Sequence, residues 1–125
     1  MRVFKFGGAS VKDAEGIKNV YDVLQKVGYE DVILVVSAMG KTTNALEVVI
    51  KNYFDKSAEL NSSVQEIKKY HNQILLDLFE DEKHEVFTAV NAQFSELEYF
   101  LAHNKSPNYN FVYDQIVSFG ELIST

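Results

Sequence analysis

Apolar and polar positions follow two different periods along this chain, and the changes of period mark out its elements. Val3-Phe4-Lys5-Phe6 is a short apolar run around one lysine that gives way at once to Gly7-Gly8, the pattern of a strand from Arg2 to Phe6 entering a tight turn. Ile17, Val20, Leu24 and Val27 then recur at helical spacing, with Ser10 as the expected N-cap and Gly28 as the C-cap. Val32-Ile33-Leu34-Val35-Val36 is unbroken and rich in β-branched residues, which predicts a strand covered on both faces. Strand, helix and strand in that order predict a right-handed βαβ unit with parallel strands.

Ligands of such sheets bind at the carboxyl ends of the strands. Here those ends are Gly7-Gly8 and Ser37-Ala38-Met39-Gly40, so two loops are expected at one site. After the second loop Leu46, Val49, Ile50 and Tyr53 resume helical spacing, and Asn44 with Glu47 has the spacing of a capping box. With Asn44 as cap, the Thr42 and Thr43 hydroxyls would be free to meet a ligand.

From Ala58 the character changes. Leu60, Val64, Ile67, Ile74, Leu75 and Leu78 form one stripe, and Val86, Val90, Phe94, Leu97 and Leu101 form another after the acidic break Glu80-Asp81-Glu82. They predict an antiparallel helical hairpin beside the sheet. His103 to Asn108 reads as a loop, and a last helix follows with Tyr113, Ile116, Val117 and Ile123 on its buried sides. Asp114, Ser118, Glu121 and Thr125 share another face of it.

Composition narrows the chemistry. A hydrophobic fraction of 46% in 125 residues supports one domain or part of one, with a real core. No apolar run reaches the roughly 18 residues that span a bilayer, and no charged n-region precedes a long apolar segment, so no membrane role and a cytoplasmic setting are expected. The lack of cysteine removes disulfides, thiolate-bound zinc and thiol nucleophiles. A net charge of -6 without a Lys/Arg cluster argues against nucleic acid, because nothing would neutralise a run of phosphates. A single nucleotide is compatible with one lysine, backbone amides and a metal ion.

The opening turn has the makings of an anion site: paired glycines admit close approach, a helix N-terminus offers unpartnered N–H groups, and Lys5 adds a full charge. Two familiar phosphate motifs fail. Gly40-Lys41-Thr42 ends like a P-loop, but the glycine required five residues before Gly40 is Val35. The Gly7-Gly8 turn lacks G-x-G-x-x-G spacing, and the second strand ends in Ser37 instead of an acidic residue, which disfavours a dinucleotide fold. His71, His84 and His103 lack ligand spacing and read as surface or partly buried side chains.

Three segments carry a resemblance. Lys5-Phe6-Gly7-Gly8-Ala9-Ser10, Val35 to Asn44, and Ser118-Phe119-Gly120-Glu121-Leu122-Ile123-Ser124 resemble, in order, the first signature motifs of the aspartate kinases in the amino acid kinase superfamily. The family often has threonine at the position of Ala9, and its second motif varies, so Lys41 stands outside the pattern. The resemblance implies an amino acid kinase-like, three-layer α/β/α fold of which this chain is the N-terminal portion. Residues 1–56 would be a βαβ nucleotide-binding unit, 57–105 a helical hairpin lobe and 106–125 a substrate-site helix.

It also implies ATP-dependent phosphorylation of L-aspartate to 4-phospho-L-aspartate, the first step toward lysine, threonine and methionine, with Mg2+ held by residues outside this chain. By carry-over Lys5, Phe6, Gly7, Gly8 and Ser10 would hold the nucleotide, with Lys5 also catalytic. Ser37 and Thr43 would contact the substrate, and Glu121 would pair with its α-ammonium group. The adenine-binding region, the α-carboxylate arginine and the regulatory domains would lie beyond Thr125, so residues 1–125 alone are expected to be inactive or nearly so. Exposed parallel edges lead us to expect a homo-oligomer. A glutamate or acetylglutamate kinase, or a non-catalytic assembly module, stays open as an alternative.

Overall fold

A computed structural model describes residues 1–125. The order is β1 (Arg2–Phe6), α1 (Ala14–Val27), β2 (Val32–Val36), α2 (Thr42–Phe54), α3 (Leu60–Leu78), α4 (Glu85–His103) and α5 (Tyr109–Ser124). The strands pair in parallel, Arg2 beside Val32 through Phe6 beside Val36. Each element foreseen from periodicity is present.

Two boundaries differ, and both matter for the site. Helix α1 begins at Ala14, capped by the Asp13 carboxylate, which accepts from the Gly16 N–H at 2.8 Å. Ser10 is not its cap: it sits in a turn, donating its own N–H to the Gly7 carbonyl. The reason is Val11, which is 1% exposed; the chain makes an extra turn to bury it before the helix starts. Helix α2 begins at Thr42, so Asn44 lies inside the first turn and caps nothing. Glu47 accepts instead from the Tyr113 hydroxyl at 2.9 Å, so the capping box is absent. Thr42 is drawn into the helix because its methyl group packs toward Gly120, 3.6 Å from where a Cβ there would stand.

Eleven buried side chains from α2, α3, α4 and α5 form the main core, with Leu46, Phe94, Leu97, Val112 and Ile116 fully enclosed. A smaller cluster of Val11, Val20, Met39 and Ile74 ties the two loops to α1 and α3, and Phe6 packs against it. Side chains alternate across a strand, so Phe4 and Phe6 face this cluster while Val3 and Lys5 face away. In the parallel register Ile33 and Val35 share that outward face, and both are exposed, as is Leu34. The expectation of a β2 covered on both faces is therefore corrected: these residues supply one helical layer, and nothing among them packs on the other side.

The histidine reading also needs correction at one position. His71 is 2% exposed, with Nδ1 2.8 Å from the Ile67 carbonyl and the ring edge-on to Phe94 and Tyr70. It is a core residue, on the same buried stripe of α3 as Val64, Ile67, Ile74 and Leu75. Desolvation pushes its pKa down, so it is neutral there.

Candidate functional site

The two loops at the strand ends meet through their backbones. Phe6 accepts from the Ser37 N–H at 3.0 Å, which extends the ladder one residue past β2. Gly8 then accepts from the Gly40 N–H at 3.0 Å. A Cβ on Gly8 would stand 2.7 Å from the Gly40 oxygen and 3.1 Å from that of Ala38, so the second glycine of the pair lets the loops touch. Gly7 has nothing within 4 Å of its missing Cβ and leaves an open approach to the main chain. Gly40 has φ +54°, the left-handed turn that directs the chain into α2.

Helix α5 joins at the same point. Gly120 is buried, and a Cβ there would stand 2.9 Å from the Ala38 Cβ and 3.2 Å from a Leu46 methyl. The third segment of the resemblance is thus wedged against the second, as the glycine inside that helix suggested. Three segments far apart in sequence converge on one junction.

The side chains expected to act there are distributed around it. Lys5 lies on the open face of the sheet, one residue before Phe6, without a hydrogen bond or ion pair. Ser37 and Thr43 are half-buried, at the strand end and in the first turn of α2. Ser10 is exposed in the first loop. Glu121 is exposed and shares the solvent face of α5 with Asp114, Ser118 and Thr125. The structure brings the backbones of Phe6, Gly8, Ser37 and Gly40 together; no hydrogen bond or ion pair joins Lys5, Thr43 and Glu121.

Some features at the junction went unread in the sequence. The helix N-terminus beside the two loops is that of α2, since α1 starts farther along. The Thr42 N–H donates to the Met39 carbonyl at 3.0 Å, the Thr43 and Asn44 N–H groups have no partner, and no side chain caps the helix. Thr42 is 3% exposed and its Oγ1 is buried without a partner. A cleft of ≈ 760 Å³ opens beside the loops, bounded by Ala9, Lys12, Asp13, Gly40, Lys41 and Thr42 on one side and by Ser63, Glu66, Ile67 and Tyr70 of α3 on the other. None of Lys5, Ser37, Thr43 and Glu121 lines it. The Tyr70 hydroxyl donates to the Lys12 carbonyl, and its pKa is pushed up by burial and by the Asp13 charge, which keeps it a donor. Lys12 and Tyr70 had no sequence signal beyond an exposed position on a helix or loop.

The site fits an anion: glycines at a close approach, an uncapped helix N-terminus and nearby lysines are the usual means of holding phosphate. No group of three or more His, Asp or Glu side chains gathers to hold a metal ion. No helix is long and apolar enough to cross a membrane.

A family model described as "Amino acid kinase family" matches residues 1–125. The chain is 34% identical over 129 residues to "Aspartokinase 1, chloroplastic" of Arabidopsis thaliana, covering 98% of this chain and 22% of that protein. It is 28% identical over 123 residues to "Bifunctional aspartokinase/homoserine dehydrogenase 2" of Escherichia coli K12, covering 98% of this chain and 15% of that protein. The fold is similar to E. coli aspartokinase III in complex with lysine and aspartate, at a TM-score of 0.79 and 24% identity, covering 99% of this chain and 27% of that one. The complex of the same enzyme with aspartate and ADP gives 0.73 and 22%. The resemblance read from three motifs is borne out by these relatives, of which the chain spans about a fifth of the length.

Proposed function

The chain belongs to the amino acid kinase family, and from that premise we propose that it is the opening part of an aspartate kinase catalytic domain, which phosphorylates the side-chain carboxylate of L-aspartate with ATP. The observation that carries this reading is the junction itself, where Gly8 touches Gly40 and Gly120 is wedged on Ala38.

The chemistry asks little covalent work of the protein. An aspartate carboxylate, with a reference pKa of ~3.9, is ionised at neutral pH and needs no general base. Charge neutralisation and in-line placement are what the protein must add. ATP supplies the phosphoryl group. Gly7 admits its phosphates to the main chain, Gly8 holds the second loop against the first beside them, Phe6 and Ser10 flank them, and Lys5 brings positive charge from the sheet. Ser37 and Thr43 orient the amino acid, and the Glu121 carboxylate pairs with its α-ammonium group. Mg2+ bound to the nucleotide would supply further positive charge against the phosphates.

In this reading the compartment is the cytoplasm, with which the lack of cysteine is compatible. Self-association would cover the apolar face around Val3, Ile33 and Val35. Residues 1–125 alone would turn over slowly or not at all, since the relatives place their activity in a much longer chain.

Thermal unfolding with and without Mg-ATP, L-aspartate and L-glutamate tests the reading. A ligand that binds only the folded state must raise the midpoint, by about 2.7 kcal/mol of stability at a hundredfold excess over its Kd. Mg-ATP and aspartate should both do so, and glutamate should not. Stabilisation by glutamate over aspartate would move the assignment to another carboxylate kinase. No shift with any of the three would leave an assembly module.

A further inference from the structure

We propose that Tyr70 of α3 is a positioning residue for the two-loop junction, a strut that fixes both loops to the helical core through its hydroxyl group. The inference rests on the functional reading above for its consequence, though not for its geometry.

The Tyr70 hydroxyl donates to the carbonyl of Lys12, on the segment that leads from the glycine turn into α1. The same oxygen lies over Gly40: a Cβ there would stand 2.6 Å from it and 3.5 Å from the Lys12 Cβ. Gly40 in turn donates its N–H to Gly8 at 3.0 Å. One side chain from a distant helix therefore touches the first loop's continuation and the second loop at its left-handed residue, and the two loops bond each other just beyond. Helix α3 is a firm base for this contact, because Val64, Ile67, Ile74 and Leu75 are buried along it.

The ring is 38% exposed and contributes modest burial, so the position is poorly explained by core packing. What the hydroxyl adds is placement. Without it nothing else holds the Lys12 carbonyl to the helical half, and Gly40 loses the atom that bounds its turn on that side. Thr42 and Thr43, two and three residues past Gly40, inherit any displacement.

The test is amide hydrogen exchange and Mg-ATP titration of wild type, Tyr70→Phe and Gly40→Ala. Losing one net hydrogen bond corresponds to an acceleration of about three- to tenfold. The Gly40 amide should speed up by that factor in Tyr70→Phe while the Val64 and Ile74 amides exchange as in wild type. Mg-ATP binding should weaken by a similar factor. Gly40→Ala, which displaces the hydroxyl from the other side and strains the left-handed backbone, should show the same local acceleration together with a lower melting midpoint. An unchanged Gly40 amide in Tyr70→Phe, or one that speeds up only in step with the α3 amides, overturns the strut. Wild type that binds no Mg-ATP refutes the functional reading instead, and the Gly40 exchange rate still decides the role of Tyr70.

Discussion

Gly120 and Ala38 meet with no room for another atom, since a Cβ on Gly120 would lie 2.9 Å from the Ala38 Cβ. Glycine within a helix ordinarily costs about 1 kcal/mol against alanine. Here the gain from Gly120→Ala should be outweighed by overpacking of about 1–3 kcal/mol. Denaturant unfolding should show net destabilisation, larger for Gly120→Val. A stabilised Gly120→Ala variant would mean that the wedge is looser than described.

The two glycines of the first turn should separate cleanly. Gly8→Ala forces its methyl group onto the Gly40 and Ala38 carbonyls, while Gly7→Ala meets nothing within 4 Å. We expect Gly8→Ala to lower the melting midpoint and to weaken Mg-ATP binding by at least about tenfold, the equivalent of 1.4 kcal/mol. Gly7→Ala should melt as wild type does. Equal midpoints for the two variants would contradict the loop contact.

His71 gives the stability a pH dependence whose sign is set by burial. Its folded pKa lies below the unfolded value near 6.5, so the unfolded chain takes up the proton first. The stabilisation is complete above that value and is lost as pH falls from it toward the folded pKa, with a slope of at most about 1.4 kcal/mol per pH unit for one proton. His71→Leu should flatten the curve there. Parallel curves for wild type and variant between pH 7 and 5 would refute the effect.

Phe94 is 0% exposed at the centre of the main core and stacks edge-on with His71. Phe94→Ala should cost about 3–5 kcal/mol. Urea titration checks it, with Tyr99→Ala, an exposed residue on the same helix, as the near-neutral control.

Every element and the parallel pairing of β1 and β2 were legible, because burial of one face writes its period into the sequence. Gly120 is the clearest case at the site: a glycine amid helix formers signalled close contact, and Ala38 is what it touches. The helix starts depart from the local capping signals where tertiary packing outweighs them. Ser10 yielded to Asp13 because Val11 had to be buried, and Asn44 yielded because Thr42 packs beneath α5. His71 reads from the sequence as a surface or partly buried histidine, although its place four residues after Ile67 and three before Ile74 puts it on the buried stripe. The Tyr70 contact spans 58 positions and joins a side chain to a backbone carbonyl, and such a pairing leaves no periodic trace.

The uneven enclosure of this chain has a consequence for its motion. Helices α2 to α5 seal their own interior, whereas β1 and β2 rely on a ladder of main-chain bonds with one side bare. Opening should therefore be graded, the strands unzipping at lower free energy than the bundle melts. The glycine turn and its neighbour stand at the seam between the tight half and the loose one, so whatever steadies the sheet will also quieten the place where an anion would settle.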